Sequence, residues 1–135
     1  MKRILSQQSE LALQDIHPDL VAVVRNAHAR CEIAFSVIEG RRSLDRQKKL
    51  KASGVSQTLS SRHLTGHAVD LVPWINNIIP WNDWSAFMTV ADSMKAAAKE
   101  LNIPLIWGGD WKSLRDGPHF ELPKQFYPSV PLSEK

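Results

Sequence analysis

Residues 105–122 read LIWGGDWKSLRDGPHFEL, and this stretch decides between the two mixed fold classes. Leu105-Ile106-Trp107 and His119-Phe120-Glu121-Leu122 are short apolar runs of strand character. They are joined through Gly108-Gly109-Asp110-Trp111 and Asp116-Gly117-Pro118, which are turn chemistry. Strands that follow one another with no helix between them favour an α+β layout with a mostly antiparallel sheet over a parallel α/β one.

Upstream of this pair, Phe87, Val90, Ala91, Met94, Ala97, Ala98 and Leu101 make one apolar face of a long helix, with Asn82 or Asp83 as its cap. Its Ala-rich middle has high helix propensity. Ala68 to Val72 is a short apolar run around one carboxylate, which reads as a buried strand carrying Asp70. Val55 to Ser61 is polar and turn-like. Ser43 is placed to cap a short helix through Lys51, with Gly54 as its stop. Ile33, Phe35 and Val37 alternate within Glu32–Ile38 as in a strand, and Gly40 ends it. Between Pro18 and Arg30, Leu20, Val23, Val24 and Ala27 fall at helical spacing, and Pro18 suits the first turn. The tail from Pro123 holds three of the eight prolines and reads as irregular. The expectation is one small α+β domain over residues 1–135, a mostly antiparallel sheet packed with helices.

Composition agrees with a globular chain: of 135 residues 43% are apolar and 23% charged, enough for one core and too few for two ordinary domains. Cys31 is the only cysteine and reads as a small buried hydrophobe, so the fold needs no oxidising compartment. The first residues show no apolar run of signal-peptide length, and no stretch approaches a membrane span. The net charge of +3 is too mild to imply nucleic acid, and the basic residues from Arg41 to Lys51 read mainly as a solvated helix face. A weak attraction to anionic polymers is compatible with them. Most of the five tryptophans are expected as core anchors, with Trp107 or Trp111 as candidates for a substrate groove. His17 and His28 are expected to face solvent.

Two clusters carry the chemistry. Ser60-Ser61-Arg62-His63-Leu64-Thr65-Gly66-His67-Ala68-Val69-Asp70 holds two imidazoles and a carboxylate, and Asp116-Gly117-Pro118-His119-Phe120-Glu121 adds another imidazole and two acids. A catalytic zinc site takes three ligands from His, Asp or Glu and keeps one position open for water. A carboxylate outside the ligand set can then act as general base. Composition leaves the choice of ligands open. His63 and His67 are four apart, but Gly66 and the lack of a Glu after His63 argue against the helical zinc-peptidase motif. Asp70, among apolar neighbours, needs a cation or donors to be tolerated. For the base, Asp116 competes with Glu121.

Ser61-x-His63-x-x-Gly66-x-Ala68-x-Asp70 resembles the signature of the D-alanyl-D-alanine carboxypeptidase and L-alanyl-D-glutamate endopeptidase family of zinc peptidases. Gly40-Arg41-Arg42-Ser43-x-x-x-Gln47 is similar to that family's upstream segment, and Asp116-x-x-His119 to its C-terminal element. The resemblance implies one Zn2+ held by His63, Asp70 and His119, with the zinc site at the sheet. It implies Asp116 as general base and Arg42 as the arginine that offsets oxyanion charge or holds a substrate carboxylate. Ser61 and Gln47 match positions near the substrate. His67 is not required as a ligand.

The short chain resembles single-domain phage endolysins. The function implied is hydrolysis of the L-alanyl-D-glutamate bond in the peptidoglycan stem peptide, to lyse the host cell. D-alanyl-D-alanine dipeptidase or carboxypeptidase activity, or a non-catalytic zinc-containing wall-binding module, are the alternatives. The expected partners are the stem peptide and a separate pore-forming protein that gives access to the wall. Nucleic acid and stable membrane association are not expected. The protein would be a monomer, made in the host cytoplasm without a signal peptide and acting in the periplasm.

Overall fold

The computed structural model describes residues 4–41, 43–53, 62–113 and 115–128, with the backbone alone at positions 44 and 47. Four strands, β1 (Phe35–Glu39), β2 (Ala68–Pro73), β3 (Ile106–Trp107) and β4 (His119–Glu121), form one sheet in the order β1-β2-β4-β3. Every ladder is antiparallel. The stretch that suggested the fold class is the β3–β4 pair, with Ile106 opposite Glu121 and Trp107 opposite Phe120. Its connection holds a 3-10 turn at Gly108–Asp110. The layout is α+β.

Helices α2 (Pro18–Arg30) and α4 (Trp84–Leu101) pack on each other, and α4 also packs on β2. Leu101, at the end of α4, is exposed, but the rest of the foreseen apolar faces is buried: Leu20, Val23, Val24 and Ala27 on α2, and Phe87, Val90, Ala91, Met94, Ala97 and Ala98 on α4. Phe87 aside, they meet Val69, Leu71, Phe120 and Leu122 from the sheet, and Cys31 joins them as a buried hydrophobe. Each large aliphatic or aromatic side chain so buried contributes about 1.5–3 kcal/mol relative to exposure. Asp83 caps α4 through Ala86 N (3.3 Å), and Asn102 ends it in the left-handed conformation at φ 58°.

Strand β2 lies inside the sheet with both faces covered, so it reads as a continuous apolar run broken only by Asp70. Its pairing with β4 sets Asp70 opposite His119. On its other side the β1–β2 register shifts between Val37 and Glu39, so that Glu39, the last residue of β1 before Gly40, stands opposite Asp70.

Three features depart from the sequence reading. A six-residue helix, α1 (Gln7–Ala12), is too short to give a periodic signal, yet it buries Ser9, whose Oγ accepts from Val37 N at 3.0 Å. His28 is buried rather than solvent-facing, because the start of β1 reaches under α2 and sets Phe35 edge-on to its ring at 4.9 Å. Trp74, Trp81 and Trp84 are exposed, so most of the tryptophans are not core anchors. Trp107 is the buried one, its Nε1–H donating to Gly117 O at 2.7 Å, which removes it as a groove residue. The expected stop at Gly54 and the turn at 55–61 lie outside the described residues.

Candidate metal centre

His63 stands in a 3-10 turn, Arg62–Thr65, immediately before β2. Gly66 turns the chain into that strand at φ +78°, and a Cβ there would lie 2.3 Å from the Asp15 carbonyl oxygen. Both the backbone angle and the close approach therefore demand glycine. His63 is buried, and its Nδ1–H donates to Gly40 O at 2.9 Å. With Nδ1 so engaged, Nε2 is left on the side of Asp70, 3.3 Å from Asp70 Oδ1.

His119 comes from β4, across the ladder from Asp70. Its Nδ1 is 3.5 Å from the same Asp70 Oδ1, and its Nε2 is 2.7 Å from Glu121 Oε1. Among the described residues, His63, Asp70 and His119 are the one group of three potential ligands whose donor atoms all lie within 4.8 Å of one another.

The electrostatics ask for positive charge at that point. Burial works against ionisation of Asp70, but hydrogen bonds from His119 and His63 outweigh it and hold the carboxyl well below the usual carboxylate range. Burial likewise works against a charged His119, while bonds to Asp70 and Glu121 lift it to about 9. The 3.3 and 3.5 Å separations are longer than the roughly 2.7–2.9 Å of a charge-assisted bond. Ligands arranged around a shared point have that spacing. Two imidazole nitrogens and one carboxylate oxygen, each imidazole with its other nitrogen tied, are a donor set for a divalent transition metal. The residues present fit such an ion, which would take the place of the proton on His119.

Asp116 lies in the turn before β4. Its N–H donates to Gly108 O at 3.0 Å, and its carbonyl accepts from His119 N at 3.2 Å. A Cβ built on Gly108 would meet Asp116 Cβ and His119 Cβ at 3.0 Å each, so both side chains leave the backbone around this one glycine. Pro118 is part of the brace, since its carbonyl accepts from Leu71 N at 2.8 Å. Glu121, the rival for the role of base, is engaged by His119 on the ring edge away from Asp70. Trp111, half-buried, borders the site with its ring 5.1 Å from that of His119.

His67 stands apart from the cluster. Its Nδ1 is 2.7 Å from Thr65 Oγ1, and its ring lies 5.6 Å from that of His17. Arg42 and Ser61 lie outside the described residues. Gln47 lies on α3 (Leu44–Ala52), capped by Ser43 Oγ through Arg46 N at 3.1 Å, and its side chain is likewise outside them. The feature no motif announced is the Gly40 carbonyl, because a backbone acceptor leaves no side-chain trace in a sequence. Glu121 as partner of His119 could have been found from the i, i+2 spacing on a strand.

The sequence model of the phage L-alanyl-D-glutamate peptidase family matches residues 1–127. An L-alanyl-D-glutamate peptidase of Escherichia phage T5 is 35% identical over 124 residues, covering 90% of each chain. Among solved structures, the Serratia marcescens L-Ala D-Glu endopeptidase ChiX superposes with a TM-score of 0.87 at 46% identity, over 93% of both chains. The vancomycin-resistance D,D-dipeptidase VanXYg, bound to a D-Ala-D-Ala phosphinate analogue, gives a TM-score of 0.50 at 16% identity. It covers 79% of this chain and 50% of its own, a likeness of fold.

Proposed function

The chain belongs to the phage L-alanyl-D-glutamate peptidase family, and from that premise we propose that it is a zinc endopeptidase that opens the L-alanyl-D-glutamate bond of the peptidoglycan stem peptide, as an endolysin does. His63, Asp70 and His119 are the ligands and Asp116 is the general base. The observation that carries the reading is the convergence of three donor atoms within 4.8 Å, with the outer nitrogens of both imidazoles held by Gly40 O and Glu121.

When bound, Zn2+ supplies Lewis acidity towards the scissile carbonyl and towards water. The chain's own residues supply position and proton transfer. The Gly40 carbonyl holds the His63 ring, and Asp70 sits between both imidazoles. Asp116, on a turn pinned to Gly108 and β2, takes the proton of the attacking water on its carboxylate and passes it to the departing D-glutamate nitrogen. Arg42 offsets the charge that develops on the carbonyl oxygen, and its loss would cost about 10²–10³ in rate. Ser61 and Gln47 contact the substrate. These last three roles rest on the motif resemblance alone.

The protein works as a single catalytic domain and a monomer, made in the host cytoplasm and reaching the wall through a separate pore-forming protein. None of the described helices is long and apolar enough to cross a membrane. Blocking the pore should prevent lysis and leave the activity of extracts intact. Digestion of purified peptidoglycan, followed by analysis of new termini, tests the substrate. New N-terminal D-glutamate is expected. Released D-alanine without such termini would overturn the assignment in favour of a D,D-peptidase.

A further inference from the structure

The two imidazoles of the site present opposite nitrogens to Asp70: His63 offers Nε2 and His119 offers Nδ1. The nitrogen left over is engaged in each case, but by unlike groups. His63 Nδ1 meets a neutral backbone carbonyl at 2.9 Å, whereas His119 Nε2 meets the Glu121 carboxylate at 2.7 Å. Residues i and i+2 of one strand share a face, so β4 holds the ring and its partner in a fixed relation. Glu121 is itself set in place by the sheet, opposite Ala68 on one side and Ile106 on the other. The buried Arg62 guanidinium, anchored on the carbonyls of Leu122 (2.9 Å) and Tyr127 (2.8 Å), lies close enough to feel the Glu121 charge.

We propose that Glu121 is a positioning residue of the metal centre: its carboxylate accepts Nε2–H of His119, fixes the tautomer that leaves Nδ1 free for the cation, and makes that imidazole the more electron-rich of the two. A carboxylate behind a metal-bound imidazole raises ligand basicity and orients the ring, and removing one typically costs about 10–100-fold in metal affinity or activity. The inference rests on His119 being a ligand. It also removes Glu121 from the contest for general base, because the carboxylate is engaged on the ring edge away from the metal donors.

The test uses the full chain, native and as Glu121→Gln, Glu121→Ala and His119→Ala. Zn2+ affinity is measured by competition with a chromophoric chelator, and the visible bands of the Co2+-loaded protein are recorded. Glu121→Ala should weaken Zn2+ binding about 10–100-fold and shift the Co2+ bands. Glu121→Gln, which keeps an acceptor oxygen and the side-chain volume, should lose less, and it carries the test if the truncation disturbs β4. For both, kcat at saturating Zn2+ should fall by less than the affinity does. Native Zn2+ affinity in both Glu121 variants, beside a His119→Ala protein that no longer binds the ion, would overturn the positioning role alone. Native affinity with kcat lowered a hundredfold or more in Glu121→Gln would make Glu121 a proton-transfer group instead. Native Zn2+ binding in His119→Ala would sink the ligand assignment, and this inference with it.

Discussion

The two histidine arms of the site are built from opposite materials. The His63 arm is a backbone construction: a 3-10 turn, a glycine at φ +78° and a carbonyl acceptor at Gly40. The corner between α1 and α2 supports it twice, since a Cβ on Gly40 would lie 1.8 Å from Ala12 O and one on Gly66 would lie 2.3 Å from Asp15 O. The His119 arm is a side-chain construction: a strand position paired with Asp70 and backed by the Glu121 carboxylate. The contrast teaches where each arm is vulnerable. The first should fail when the backbone is pushed, with stability and metal affinity falling together. The second can lose its outer partner and keep its fold.

The largest effect on this comparison is loss of either ring. His63→Ala and His119→Ala should both abolish zinc retention and peptidoglycan hydrolysis, measured as metal content per chain and release of new termini. If one of them kept its zinc, the two arms would not share an ion. Next comes Gly40→Ala, whose added Cβ must displace backbone and should destabilise by about 1–3 kcal/mol, read by urea unfolding, with zinc affinity falling as well. A Gly40→Ala protein of native stability and affinity would show that the His63 arm does not depend on that close approach.

A graded effect follows from the proton on His119 in the cation-free protein. Its folded pKa of about 9 lies above the ordinary imidazole value of roughly 6.5. The stabilisation it brings is therefore complete below about pH 6.5 and is lost as pH rises towards about 9. Asp70 acts in the opposite sense: its folded pKa is depressed, so its contribution is present above roughly pH 4 and is lost as pH falls below that. Thermal melts of metal-free protein should show the cluster stabilising most between about pH 4 and 6.5, with a decline towards pH 9. Zn2+-loaded protein should not decline over the alkaline interval, because the ion replaces the proton. An alkaline decline that survives zinc loading would point to another group. The smallest effect belongs to His67→Ala, which should keep native zinc content, because the ring faces Thr65 and His17 rather than the cluster. Loss of zinc in that variant would redraw the site.

The α+β class was legible because strands that lack an intervening helix pair antiparallel, and residues 105–122 say so on their own. Helices α2 and α4 were legible from apolar periodicity, and their starts from Pro18 and from the Asn82-Asp83 pair, whereas the cap of α2, His17, was not foreseen. The cluster of His63, Asp70 and His119 was legible only as a motif. Spacing alone left His67 and Glu121 in play, since coordination depends on which side chains converge across the β2–β4 ladder. Helix α1 and the burial of His28 were hidden for a related reason. Both depend on β1 passing beneath the N-terminal helices, a contact between segments that no local pattern encodes. The support of His63 was the least legible part, because it consists of carbonyl groups and of space for which only glycine leaves room.

The central claim is that His63, Asp70 and His119 share one ion on which hydrolysis depends. Zinc content and peptidoglycan cleavage, measured before exhaustive chelation, after it, and after adding back stoichiometric Zn2+, test it most directly. The account predicts one zinc per chain, activity abolished by its removal and restored by its return. Undiminished cleavage by the fully stripped protein would contradict it.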